Sequence, residues 1–259
     1  MSFQTGRIFA FFTLITMIVS IVVAIYLTRK KGSIPTLRKI PGLEAIAEVV
    51  GRSVEMNRPV HWTPGFQARF NNDYAPALIA SLGVLDYLAK LCARHNARLL
   101  CSVPQPEMIP VVEGIIRESY ASEGAVFNKP EDIMYYPSSS GYLNGVINTF
   151  EREHVGGNII IGHIVMEAVI IGESGVKVGA FQVGGSTEPT SLPFLMTTCD
   201  YTLITEEVYC AGAYLTGNIT QLGSIWGQDI IKWISLGLMI FGIIMSSVGL
   251  DYARSLFAM

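Results

Sequence analysis

Two stretches carry residue types suited to holding an anion: PSSSG (Pro137 to Gly141) and GGSTEPTS (Gly184 to Ser191). Glycines and hydroxyls that follow a strand and open a helix present backbone N–H groups at the positive end of the helix dipole. On that ground Ser138, Ser139, Ser140, Gly184, Gly185, Ser186 and Thr187 are the candidate ligand-binding residues. The same side chains cap helices by accepting from the free N–H groups of the first turn, and capping accounts for most such residues in strand-to-helix loops. Glu188 adds a carboxylate that would itself occupy the positive helix end and repel phosphate, which makes the serine run the better anion contact. Other predicted strand ends supply His61 and Thr63, Ser102, Gln105 and Glu107, and Thr205 with Glu206 and Glu207. The two adjacent glutamates point about 100° apart on a helix, so they need not share a site.

His163 and Glu167 are four apart, the spacing of two metal ligands on one helix face. A structural zinc takes about four ligands and a catalytic one about three, so a hydrogen-bonded core histidine is the favoured reading. The dinucleotide fingerprint G-x-G-x-x-G, the phosphate loop G-x-x-x-x-G-K-[ST] and the nucleophile elbow G-x-S-x-G are absent. No catalytic residue, metal or cofactor is therefore expected.

The elements that must position these residues follow from periodicity. Short β-rich runs span Pro59 to Trp62, Ala97 to Val103, Asp132 to Pro137, Asn158 to Ile164, Ala180 to Gly185 and Asp200 to Ile204. Amphipathic stretches such as Leu43 to Met56, Ala75 to His95, Glu107 to Glu123 and Tyr142 to Glu153 lie between them. Strands joined by helices of this length predict βαβ crossovers: an α/β, Rossmann-like, mainly parallel sheet flanked by helices.

The whole chain is 50% hydrophobic and 15% charged, with a mean hydropathy of +0.42. Ordinary soluble domains are about 25% charged. The excess apolar content sits at the two ends. Ile8 to Thr28 carries no charge and is long enough for a bilayer core of about 30 Å, and Trp233 to Leu250 is a second uncharged run, slightly short for a span. The reading is a tail (residues 1–7), a transmembrane helix (8–28), a basic linker (29–41), an α/β domain (42–228), a second transmembrane helix (229–250) and a tail (251–259). Arg29, Lys30, Lys31, Arg38, Lys39 and Lys232 flank the inner ends of the spans, against Arg7 and Arg254 outside, which places the central domain in the cytoplasm of an inner membrane. Cys92, Cys101, Cys199 and Cys210 show neither disulfide density nor metal spacing, in keeping with a reducing compartment. Eighteen Lys plus Arg against twenty-one Asp plus Glu leave no basic excess, so nucleic acid is not an expected partner.

Ile40 to Gly65 (IPGLEAIAEVVGRSVEMNRPVHWTPG), Cys199 to Asn218 and Gly223 to Lys232 resemble an uncharacterised prokaryotic family of membrane-anchored proteins, catalogued as a domain of unknown function. The resemblance implies a shared architecture and carries no catalytic residue. The expected function is that of a membrane-anchored structural or interaction protein assembling with copies of itself in the lipid bilayer. Gly237, Gly242, Ser246, Ser247 and Gly249 in the second span permit close helix packing. The alternatives are an enzyme or sensor binding a small anion at the strand ends, and a subunit of a larger membrane complex.

Overall fold

The computed structural model describes residues 8–31, 40–217 and 219–247. Both tails, most of the basic linker, and Gly249 with the end of the second span lie outside them. The chain divides into two compact units, Arg38–Thr216 and the paired ends Met1–Leu37 with Gly217–Met259.

In the first unit, six strands form one sheet: β1 (Val60–Thr63), β2 (Leu99–Val103), β3 (Ile133–Tyr135), β4 (Gly157–Gly162), β5 (Phe181–Ser186) and β6 (Tyr201–Ile204). Their order is β3-β2-β1-β4-β5-β6 and every pairing is parallel. Alternation along each strand sends side chains to two separate cores. Val60, Trp62, Cys101, Ile159, Ile161 and Val183 meet α2 (Pro41–Glu55), α3 (Ala75–His95), α4 (Met108–Ser122) and α8 (Glu206–Thr216). Leu100 and Ile160 face the other way, toward α5 (Ser139–Glu153), α6 (Glu167–Val178) and α7 (Leu192–Thr198). The sheet is doubly wound, with α3 and α4 crossing over one face and α5, α6 and α7 over the other, as right-handed parallel connections require.

Helix ends follow their local chemistry. Pro41 opens α2 where its missing N–H costs nothing. Asn96 and His154 close α3 and α5 in the left-handed conformation at φ 53° and 49°, and Gly179 closes α6 at 71°.

The second unit is a helical hairpin of α1 (Ile8–Lys31) and α9 (Ile219–Ser247). Added Cβ atoms would lie 3.1 Å from Ile25 Cα at Gly223, a tight approach, and 2.9 Å from Ile21 Cα at Gly227, where the helices would have to shift. These pairings run in opposite directions along the two helices, which are therefore antiparallel. Ala24 is buried against the same seam, and Ser20 Oγ donates to the Gly227 carbonyl at 3.4 Å. Away from the seam the apolar side chains are exposed: Val22 is 59% exposed, Tyr26 62% and Ile243 66%. Gly237 has no neighbour within 4 Å at its Cβ position.

Among the described residues, three helices are long and apolar enough to cross a membrane, α3 as well as α1 and α9. The apolar window of α3 is 61% buried within its own unit, against 11% and 6% for those of α1 and α9.

Candidate functional site

Parallel sheets of this kind bind ligands beyond the carboxyl ends of their strands, where the strand order reverses. Here the reversal falls between β1 and β4, so the place to examine is bounded by Thr63 and Gly162. The chain fills it with its own loop. The Pro64 carbonyl rests against Gly162, where any Cβ would collide with it. Gly65 turns at φ +88°, and a Cβ there would come within 2.8 Å of Ile164 Cγ1 and 3.2 Å of the His163 carbonyl. The Phe66 N–H donates to Glu167 Oε1 at 3.1 Å, and its ring tilts over Tyr142 with centroids 5.6 Å apart. Tyr74 completes the closure by stacking on His163, centroids 3.6 Å apart and planes 6° from parallel.

His163 is buried, with Tyr74 over one ring face, and its Nδ1 lies 2.9 Å from Thr187 Oγ1. Burial lowers its pKa against the opposing pull of Glu188 and Glu167. Glu167 is the first residue of α6 while His163 lies in the loop before it, so the two are not successive-turn neighbours on one helix. Among the described residues no three His, Cys, Asp or Glu side chains converge as a metal site.

Beneath this closure a line of polar side chains crosses four strands. Ser102 on β2 and Asn158 on β4 flank His61 of β1, at 2.9 Å from Nε2 and 2.9 Å from Nδ1 respectively. Asn158 Nδ2 donates to Gln182 Oε1 on β5 at 2.8 Å, and Gln182 Nε2 donates to the carbonyls of Gly172 and Thr198. Those last acceptors set the polarity of the whole line. Asn158 must present its oxygen to His61, so Nδ1 carries the imidazole proton and Nε2 accepts from the Ser102 hydroxyl. Nearby, Thr63 Oγ1 donates to the Ser102 carbonyl at 3.0 Å and is hydrogen-bonded to Tyr142 Oη.

Ser102, His61 and Asn158 have the connectivity of a nucleophile, base and orienting group. All three side chains are inaccessible, and the ring of Phe150 meets the imidazole edge-on at 4.9 Å. Burial lowers the His61 pKa to about 4, against the hydrogen bond to Asn158, which raises it, so the ring is neutral at physiological pH. A reacting carbonyl has no place beside Ser102 Oγ in this packing. The line serves instead to satisfy buried polar groups and to hold β2, β1, β4 and β5 in register.

The sequence-selected residues fall into separate places. Ser138 caps α5, its Oγ accepting from the Gly141 N–H at 3.0 Å, while Ser139 and Ser140 lie exposed in the first turn. Gly184 and Gly185 lie inside β5, which runs to Ser186. A Cβ at Gly184 would meet Cys199 Sγ at 2.6 Å, and one at Gly185 would meet Leu203 Cβ at 2.8 Å. Ser186 Oγ donates to the Ile164 carbonyl at 2.7 Å and accepts from Glu188 N at 3.0 Å. The serine run follows β3 and the Ser186–Thr187 pair follows β5, and three strands lie between them. Only Ser186 and Thr187 belong to the β4 and β5 rim beside His163. Ser102 is joined in the buried line by His61, Asn158 and Gln182, and Tyr74 closes the rim. The sequence signal for the last four was a polar residue within an otherwise apolar strand, or an aromatic at a helix start.

Two clefts of about 280 and 310 Å³ open at the opposite, amino edge of the sheet and share Arg98. Its guanidinium is engaged by Asp132 at 2.6 Å and Glu153 at 2.7 Å.

Compared with curated proteins and with solved structures, the chain matches none. A family model matches residues 1–257, nearly the full length, and the chain belongs to that family, described as Domain of unknown function (DUF6754).

Proposed function

We propose that the protein is a membrane-anchored structural and interaction module: α1 and α9 cross the bilayer as a hairpin, the α/β unit lies on the cytoplasmic side, and copies assemble laterally. The observation that carries this reading is the apolar exposure of the hairpin, from Leu14 and Val22 on α1 to Ile240 and Ile243 on α9. Apolar area of that extent is favourable in hydrocarbon and costly in water. Two spans are favoured over three, because α3 buries most of its apolar window between the sheet and its neighbouring helices. Arg29, Lys30 and Lys31 at the inner end of α1 support a cytoplasmic α/β unit.

Lateral assembly is supported by the open face at Gly237, which accepts a close helix. The crevice at the reversal of strand order is filled by the chain itself, which favours an interaction role over the binding of a small anion there. The test is the native mass of the protein in mild detergent together with cross-linking in native membranes. A homogeneous assembly of many copies is expected. A monomer in both preparations overturns the reading, and co-purification of other membrane polypeptides in fixed ratio replaces it with a subunit of a larger complex.

A further inference from the structure

We propose that residues 64–74 form a releasable strap occupying a ligand crevice at the reversal of strand order, and that the crevice takes an aromatic, N–H-donating amine. This adds a gated ligand site to the anchored module and stands independently of whether the module self-assembles.

The first observation is length. The strap uses eleven residues to join β1 to α3, where β2–α4 and β4–α6 each use four. Strand-to-helix loops usually take about 2–6 residues, and longer ones are commonly functional. The second is the manner of attachment. Arg69, Phe70, Asn71, Asp73 and Tyr74 are exposed, and the strap is held at separate points: Pro64 on Gly162, Phe66 on Glu167 and Tyr142, buried Ala68, and Tyr74 on His163. Residues 64–68 anchor the strap, whereas residues 69–74 are largely exposed, and a segment so placed opens at lower free energy than the sheet beneath it.

The third observation is what the strap covers. Its points of contact act as a bound ligand would, with an N–H group on Glu167 and an aromatic ring flat on His163. The groups around them are acceptors and hydroxyls: Glu167, Thr187, Thr63 and Tyr142. The Glu167 carboxylate at this contact repels a phosphate or carboxylate ligand and attracts an amine. A ring on His163 and an amine toward Glu167 reproduce the two contacts that release of the strap removes.

The test is hydrogen–deuterium exchange on the full chain in mild detergent. In the unmodified protein the amides of residues 65–73 are expected to exchange about a hundredfold or more faster than those of β1 and β4, the range that separates local from global opening. Equal protection of strap and strands overturns the strap. Tyr74→Ala is expected to speed exchange of the strap further and leave β1 and β4 unchanged. If both respond together, the loop is part of the core and the proposal fails. Millimolar tyramine competes with the strap for the same contacts, so added to Tyr74→Ala it is expected to speed exchange of residues 65–73 by a further factor of about ten and leave β1 and β4 unchanged, and inorganic phosphate to leave exchange unaltered. No response to tyramine, or the same response to phosphate, overturns the ligand class. Glu167→Gln in the same background is expected to abolish the tyramine effect, and its persistence overturns the assigned amine contact.

Discussion

His61 couples the strand-crossing polar line to pH. Buried and neutral in the folded chain, it titrates near 4, whereas an exposed histidine titrates near 6.5. Above about pH 6.5 neither state binds the proton and stability is at its plateau. As the pH falls toward 4 the unfolded chain takes up a proton that the folded chain refuses, and stability is lost at up to about 1.4 kcal/mol per pH unit. His163, also lowered by burial, contributes with the same sign. Denaturant midpoints measured from pH 7 to 4.5 should therefore fall, and His61→Gln should flatten most of that decline. A flat wild-type profile would mean that His61 gains its proton without unfolding. Asn158→Ala tests the line itself. It strips the acceptor from His61 and the donor from Gln182, with an expected loss of about 2–3 kcal/mol. Combining it with Gln182→Ala should cost clearly less than the sum of the two single changes, because both remove the same bond.

Elements differ in how they can be tested and in how visible they are from the chain alone. In the hairpin, Cβ atoms at positions 24 and 227 would lie 3.2 Å apart, close to the span of a disulfide. The pair Ala24→Cys and Gly227→Cys should cross-link under mild oxidation within a single chain, and Gly227→Leu should separate the helices while Gly237→Leu leaves them paired. Failure of the cysteine pair to cross-link would exclude the antiparallel seam. That seam is hard to foresee because Asp229 and Lys232 interrupt the apolar run, so a search for uncharged stretches begins at Trp233 although α9 starts at Ile219. The six strands were legible, since continuous apolar runs between turn residues have few other solutions, and Ala75–His95 emerged with the bounds read from its period. Strand order was not legible, because each βα unit looks alike locally and pairing is decided by distant partners. The same holds for the polar line. Ser102 lies 41 residues from His61 and Asn158 lies 97 away, and only the register of the sheet aligns them. The anion reading of Gly184 and Gly185 rested on glycines after a strand, and the same glycines inside β5 serve close packing against Cys199 and Leu203.

At the scale of the whole molecule, the proposed topology rests on the charges at the inner end of the hairpin. In that proposal α1 and α9 both span, so the start of α1 and the end of α9 share one side of the bilayer and the α/β unit takes the other. Arg29, Lys30 and Lys31 follow the apolar part of α1, and Lys232 stands within α9 beside Asp229 at 3.9 Å, so the first span carries most of the orienting charge. Cationic residues within about 15–20 positions of a span are retained in the cytoplasm. A single cysteine placed at Asn71, on the exposed strap, with Cys199 and Cys210 replaced by serine, should react with a membrane-impermeant maleimide only after the cytoplasmic face is opened. Labelling from the outer face of intact cells would reverse the topology. Replacing Arg29, Lys30 and Lys31 together by glutamine should make the orientation mixed, with labelling of Asn71→Cys from both faces. An orientation unchanged by that triple substitution would shift the determinant from the first span to the charges of residues 38 and 39 and to Lys232.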